Sequence, residues 1–411
     1  MTPSREFASG RPRRTRVVLF GPYVSRNLGD TATQLTVIQE LLKRRPDLEI
    51  LGASPEPDDT LRSLGIPAFP LSGQGRVAGD LGPFLDPSPE SARSDLRRPY
   101  SPTAIYRIAQ FVRSIDVLVI SGGGQLDDTW GGAWGHPWLM FVWTALARLF
   151  GVPVVFLCVG LDRLKSVLSQ RFAVWALKMA TEAIFRDVKS QLALKSMGMT
   201  RSSSVHPDLV FSLSTEKLIK RQTSSSANRF VVISPISWRT WSSELPPQHH
   251  RYMEALCDLG LEFSRSGHRI RVVCSQSAMD MEDAQLLVQH LATSGVEDVS
   301  IIDAPQVADF LGAVNGAELV VASRLHAVIL SLIADAPVLA ISHLAKVDAV
   351  MEQIGMPEFC FRLQEFDRKI LLELARLALT RSQSLRDEVV RRRKELGSDV
   401  GSALDRLARM R

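Results

Sequence analysis

Short apolar runs alternate with longer amphipathic ones along almost the whole chain. The first, TRVVLFG at 15–21, is β-branched and strand-length, and TATQLTVIQELLKRR at 31–45 then repeats its apolar residues at helical spacing. Further strands are expected at 48–52, 116–121, 152–160 and 182–187, with helices near 103–114, 137–150, 166–180 and 188–197. The alternation resumes with strands near 229–234, 270–275, 299–302, 318–322 and 337–342, and helices near 248–266, 280–293, 306–314, 324–334 and 345–354. A charged stretch of helical spacing, 366–396, closes the series and is placed to return to the first half.

Wholly apolar strands separated by helices argue for parallel sheets with right-handed crossovers. Two such series predict an α/β chain with two Rossmann-like domains facing a cleft, 15–215 and 229–365, followed by a C-terminal helical tail, 366–411. The division is placed in STEKLIKRQTSSSAN, 214–228, where the apolar pattern stops and serines cluster. Residues 53–104 are rich in Pro, Gly, Ser and Asp and read as a long loop or insertion. Ligands of such sheets bind beyond the carboxyl ends of the strands.

Four polar clusters fall at those ends. In RNLGDTA, Asn27, Gly29 and Asp30 make either a capped turn or a loop whose N–H groups approach a ligand. In SGGGQLDD, Gly122, Gly123 and Gly124 are costly in entropy unless the backbone bends sharply or meets something closely, such as an anion or a sugar. Neither a GxGxxG pattern with an acidic ribose reader nor a Walker A motif is present. In FRDVKS, Arg186 ends a strand and Asp187 suits a helix cap. That arginine either holds the aspartate for structure or grips a phosphate or carboxylate.

The fourth cluster is SRLH, 323–326, between two apolar runs, with Lys346 twenty residues beyond His326. Ser323 is able to cap the helix, and Arg324 would stand where a helix N-terminus already favours an anion. His326 is then placed to exchange a proton near neutral pH. A structural arginine beside a core histidine is the competing reading. Residues i and i+2 do not share a helix face, so both reach one ligand only if Arg324 precedes the regular helix. His206-Pro207-Asp208 reads as a turn. The tryptophans of DDTWGGAWGHPW, 127–138, suit a wall that stacks on a sugar ring, or core packing.

Composition narrows the class. The chain has 411 residues, 45% hydrophobic and 23% charged, so it is globular and too long for one ordinary core. The net charge is +5, with arginines gathered towards both ends; this serves solubility, or suits an acidic membrane surface or an anionic ligand. No nucleic-acid-binding pattern is present, so nucleic acid is not an expected partner. Cys158, Cys257, Cys274 and Cys360 are scattered without metal-site spacing and read as free thiols in a reducing compartment. No signal peptide opens the chain, and Arg148, Gly151 and Pro153 interrupt its most membrane-like stretch, 139–161. A cytoplasmic protein is expected.

Taken in order, NLGDTA, VLVISGGGQL, GVPVVFLCVGL, AIFRDVKSQLALKSMGM, VHPDLVFSL, VVASRLHAVILSLIADAPVLAIS and KVDAVMEQIGM resemble the polysaccharide pyruvyl transferase family over roughly 17–357. Thr31 stands where the family has an acidic residue, and Arg26 where it often has glycine. The resemblance implies a GT-B-like fold and transfer of pyruvate from phosphoenolpyruvate to a sugar as a ketal. It implies Arg186, Arg324 and His326 as donor-site residues, with Lys346 beside them and no cofactor or metal. On this reading His326 is the general acid and the arginines clamp the donor's phosphate and carboxylate. The acceptor would be a glycan or lipid-linked oligosaccharide, met at the inner membrane face if the basic ends serve a peripheral contact. A nucleotide-sugar glycosyltransferase of the same fold and a non-catalytic glycan-binding or assembly protein are the alternatives.

Overall fold

The computed structural model describes residues 14–21, 27–81, 101–129, 131–219, 229–237, 247–363 and 367–410. Its first half runs β1 (Arg16–Phe20), α1 (Leu28–Arg44), β2 (Glu49–Ser54), α2 (Pro57–Leu64), β3 (Ala68–Pro70), α3 (Pro102–Val112) and β4 (Val117–Ser121). It continues through β5 (Leu126–Asp127), α4 (His136–Leu149), β6 (Val154–Val159), β7 (Leu161–Arg163), α5 (Val167–Met179), β8 (Glu182–Phe185), α6 (Val188–Ser196) and β9 (Ser204–Val205). The second half runs β10 (Phe230–Ser234), α7 (Pro247–Arg265), β11 (Arg269–Val273), α8 (Ser277–Thr293), β12 (Val299–Ile302) and α9 (Val307–Val314). There follow β13 (Leu319–Ala322), α10 (Leu325–Ile333), β14 (Val338–Ser342), α11 (Ala345–Gln353), β15 (Cys360–Arg362), α12 (Arg368–Thr380) and α13 (Ser382–Ala408).

The strands form a seven-stranded sheet of order β3-β2-β1-β4-β6-β8-β9, a six-stranded sheet of order β12-β11-β10-β13-β14-β15, and a small β5-β7 pair. Every named strand pairing is parallel. Central strands such as β4, β10 and β14 are buried along their whole length. That is why they read as unbroken apolar runs, since helices cover both faces of a parallel sheet. Each large sheet reverses its strand order beside its first strand, and a crevice opens at that switch point.

α13 ties the two halves together. Leu385 and Val389 near its start lie in the second half's core, while Val400, Ala403, Leu404 and Leu407 lie against β1, β4 and β6. At about 1.5 Å per residue the helix is roughly 40 Å long, enough to span both sheets. Polar contacts follow it: Ser212 Oγ donates to the Gly397 carbonyl, His206 meets Asp399 at 2.8 Å, and Arg406 pairs with Glu182 at 2.8 Å.

Three expectations change. The stretch 53–104 is not a plain loop in its described part, because α2 and β3 lie within it. α2 is eight residues long and buries only Thr60, so it has no apolar stripe to read. Residues 366–396 are not one helix: α12 ends at Thr380 and α13 begins two residues later. Ser323 does not cap α10; its hydroxyl bonds Tyr252 at 2.8 Å, and Arg324 is the N-cap. Most of the 214–228 linker, Arg26 and Trp130 lie outside the described residues.

Candidate active site

The carboxyl ends of the two sheets face one cleft of about 140 Å³. Asn27 and Asp30 reach it from beyond β1, Gly124 from beyond β4, Asp162 from β7 and Arg186 from the end of β8. The second sheet contributes Arg324 and His326 beyond β13, and His343 and Lys346 beyond β14. Four helix N-caps stand in its wall: Asn27 of α1, Gln276 of α8, Arg324 of α10 and Leu344 of α11. Asn27 caps Gly29 N with its own side chain, but Gln276, Arg324 and Leu344 make no side-chain cap. The positive ends of four helices, three of them without a side-chain cap, therefore converge on one small volume. An anion is favoured there before any charged side chain is counted.

The cationic side chains are already partnered. Arg186, 4% exposed, donates to Asp208 Oδ2 at 3.2 Å. Lys346 Nζ lies 3.1 Å from both oxygens of Asp162. Arg324 forks onto Asp280, whose carboxylate is fully buried and also accepts from Ser237 N at 2.8 Å. Arg324 has an extended backbone (φ −82°, ψ 140°) and precedes the regular helix, so it shares the cleft wall with His326. Its guanidinium is nevertheless held by Asp280. Removing it would strand a buried carboxylate, so lost activity at that position reports folding as much as chemistry.

His326 sits in the first turn of α10. Its Nε2 is buried without a hydrogen-bond partner, 3.9 Å from Asp208 Oδ2. Asp208, which also caps the 3₁₀ turn Leu209–Ser212, lies between Arg186 and His326. Burial lowers the imidazole pKa to about 4, with Arg186 and Lys346 pushing the same way against Asp208. The near-neutral titration expected from sequence is therefore not what the cleft's own groups impose, and His326 is uncharged among them at pH 7. Asp30 behaves oppositely. Burial and the neighbouring Asp162 raise its pKa to about 7, although Asn27 Nδ2 donates to its Oδ2 at 2.7 Å. Burial would raise Asp162 too, but Lys346 and Arg186 hold it below the ordinary carboxylate range.

The glycines make room for these groups. A Cβ at Gly29 would lie 2.0 Å from His326 Nδ1, one at Gly124 2.0 Å from Asp162 Oδ2, and one at Gly160 2.5 Å from an Arg186 nitrogen. Gly122 and Gly123 have φ of 56° and 59°, so the triple glycine turns sharply out of β4. Gly122 N donates to the Leu157 carbonyl at 2.8 Å, which leaves that N–H unavailable to an anion. Neither Gly122 nor Gly123 lines the cleft among the described residues. A test follows from Gly29. Alanine inside a helix normally stabilises by about 1 kcal/mol. Gly29→Ala should instead displace the imidazole, lowering kcat at least tenfold while the thermal melt shows no matching gain. Full kcat in that variant would show the ring to be free to move.

Of the residues singled out from sequence, Asn27, Asp30, Gly124, Arg186, Arg324, His326 and Lys346 meet in this cleft, and Gly29 backs its histidine. Sequence reasoning missed Asp162, Asp208 and His343. Asp162 carried a signal, being the lone acidic residue between 129 and 181 and lying just past a strand. Asp208 reads from sequence as part of a turn, and the structure sets it between Arg186 and His326. Trp134 and Trp138 do not line the cleft; they pack on each other, centroids 5.3 Å apart, and on Phe172.

A family model described as polysaccharide pyruvyl transferase matches residues 27–344. No curated protein sequence matches the chain. Among solved structures, a putative UDP-N-acetylglucosamine 2-epimerase from Listeria monocytogenes is similar with a TM-score of 0.59 at 11% identity, over 96% of this chain and 95% of that one. The S. aureus MnaA–UDP co-structure gives 0.56 at 13% identity, over 96% and 95%. A ugt transferase from Siraitia grosvenorii in complex with UDP gives 0.52 at 14%, over 96% and 99%. At these identities the likeness shows the fold alone: two facing Rossmann-like domains of the GT-B kind.

Proposed function

The chain belongs to the polysaccharide pyruvyl transferase family, enzymes that transfer pyruvate to polysaccharide, and from that premise we propose that its donor is phosphoenolpyruvate and its product a pyruvate ketal on a sugar. The observation that carries this is the convergence of four helix N-termini with Arg186, Lys346 and His326 around about 140 Å³. Sites for drug-sized ligands run to roughly 300–1,000 Å³. This one suits a compact anion with a phosphate and a carboxylate on a three-carbon frame.

Binding exchanges partners. Lys346 and Asp162 are each about a quarter exposed, so a phosphate is able to take the lysine from its carboxylate. Arg186 stays on Asp208 and presents its remaining donors to the carboxylate. The added negative charge raises the affinity of His326 for a proton. The imidazolium then gives that proton to the methylene carbon, and C2 becomes oxocarbenium-like. One sugar hydroxyl attacks C2. The C2–O bond to phosphate breaks, and a second hydroxyl of the same sugar closes the ring. Of the two hydroxyl protons, one restores His326 and the other leaves with phosphate. Fixed dipoles and cations in an enclosed cleft act by stabilising developing charge.

The test is incubation with phosphoenolpyruvate and a glycan acceptor, reading inorganic phosphate and a new methyl resonance on the glycan. Turnover with a nucleotide sugar and none with phosphoenolpyruvate would sink the reading.

Asp30 supplies a pH dependence. Its carboxyl is neutral below about pH 7 and charged above. A carboxylate beside an anionic donor repels it, so donor affinity should fall as pH rises past that point, by up to about tenfold per unit. Asp30→Asn should flatten this alkaline limb, as seen by donor titration between pH 6 and 9. An unchanged limb would assign it to another group.

A further inference from the structure

We propose that the outer face of α4 and α5 docks on an anionic lipid bilayer surface. These two helices are the consecutive crossovers β4–β6 and β6–β8, and they lie side by side on one face of the first sheet. Between them runs a continuous aromatic cluster: Trp134, Trp138, Phe141, Phe172 and Trp175, with neighbouring ring centroids 5.1–5.9 Å apart. The cluster is not sealed. Trp134 is 51% and Trp175 44% exposed, and Val167 and Leu149 at the helix ends are 63% and 72% exposed. Exposed apolar surface of this density on a folded domain marks an interaction site.

Charge selects the partner. From 129 to 181 the sequence holds five basic residues, Arg148, Arg163, Lys165, Arg171 and Lys178, and a single acid, Asp162, which is committed to the cleft. All five basic residues are exposed, and none of their side chains forms an ion pair among the described residues, although the Lys165 backbone N–H donates to Asp128 Oδ2 at 2.8 Å. On α5, Val167, Arg171, Trp175 and Lys178 follow one another along a single exposed face. Tryptophan with lysine and arginine around an apolar strip is the composition of a helix face lying at the lipid headgroup level. A second copy of this chain fits poorly, because a two-fold contact would set these unpaired cations against themselves. A nucleic acid or polyanionic glycan fits poorly as well, because the rings close on one another instead of opening a groove for stacking.

β7 joins the face to the cleft along the chain. Its Asp162 lines the cleft and bonds Lys346, its Arg163 is exposed, and α5 begins four residues later at Val167. Resting on the transferase reading, this adjacency makes the acceptor a glycan carried on a lipid, presented from the membrane beside the donor pocket. No helix among the described residues is long and apolar enough to cross a membrane, so the contact would be peripheral.

The test uses the full chain without donor or acceptor, which keeps it separate from the catalytic reading. Sedimentation with vesicles of phosphatidylglycerol and phosphatidylethanolamine should carry the protein down, less so as salt rises, and phosphatidylcholine vesicles should not. Each basic residue near such a surface is worth about fivefold in partition, so Arg171→Glu with Lys178→Glu should weaken binding at least tenfold. Trp175→Ser should weaken it at least fivefold. Turnover of a water-soluble glycan fragment should be unchanged in both variants. Equal binding to both vesicle types, no binding, or variants that bind like the parent would overturn the proposal. So would a dimer, by light scattering, that Trp175→Ser dissolves, or a face occupied by a soluble polyanion in preference to vesicles.

Discussion

His326→Ala should lower kcat by about 10²–10⁴, the usual worth of a positioned general acid, and leave donor affinity nearly unchanged. The ring contributes no charge to the free enzyme's cleft, since burial holds its pKa at about 4. Removing it therefore costs little in donor electrostatics and all of the proton transfer to carbon. A split between the two pH profiles should accompany this. The profile of kcat/KM reports the free enzyme and that of kcat the bound complex. The alkaline limb of kcat/KM, where the general acid loses its proton, should thus begin near 4 if His326 alone sets it, and that of kcat at higher pH, because the bound anion favours imidazolium. Steady-state kinetics with calorimetric donor titration would decide. Retained kcat in His326→Ala, or donor affinity lost in step with kcat, would remove the histidine from the chemistry.

Arg186→Ala should abolish both donor binding and much of the protein's stability. The guanidinium is buried; burial acts to lower its pKa, but Asp208, Asp162 and Asp187 outweigh this and keep it firmly charged. Taking it away leaves Asp208, 1% exposed, without its cation. Breaking a buried pair from one side costs about 3–5 kcal/mol, which is a large fraction of a typical domain's stability. Arg186→Lys separates the two roles. It keeps a charge for Asp208 and should recover most of the melting temperature, yet it loses the planar fork that a carboxylate needs. Donor affinity should stay weak in that variant. If Arg186→Lys restores affinity along with stability, the arginine serves the fold and not the donor.

The strand ends were legible because buried parallel strands are written as unbroken apolar runs, and the polar residue that follows each run is forced to the sheet's edge. Arg186 after EAIF and His326 after LVVASRL were found by that rule alone. The partners were not. Asp280 lies in α8, forty-four residues before Arg324, and nothing local marks it as that arginine's counter-ion. Gly29 reads as a turn residue, yet it is a helical residue cleared of its Cβ by a histidine from the other sheet. The small elements α2, β3 and β15 escaped because each is too short to repeat a pattern.

From its amino acids alone this chain declares two series of parallel strands, the ends at which chemistry collects, and the family whose motifs it carries. These are local properties, set by which side chains shun water over five or ten consecutive residues. Tertiary structure alone decided that each cation of the cleft has a carboxylate partner, that His326 is neutral while Asp30 holds a proton near pH 7, and that four helix N-termini meet. Those depend on burial and on distances of a few ångströms between residues far apart in the chain. Charge interactions change several-fold with such distances and with the loss of water, and no linear pattern encodes either.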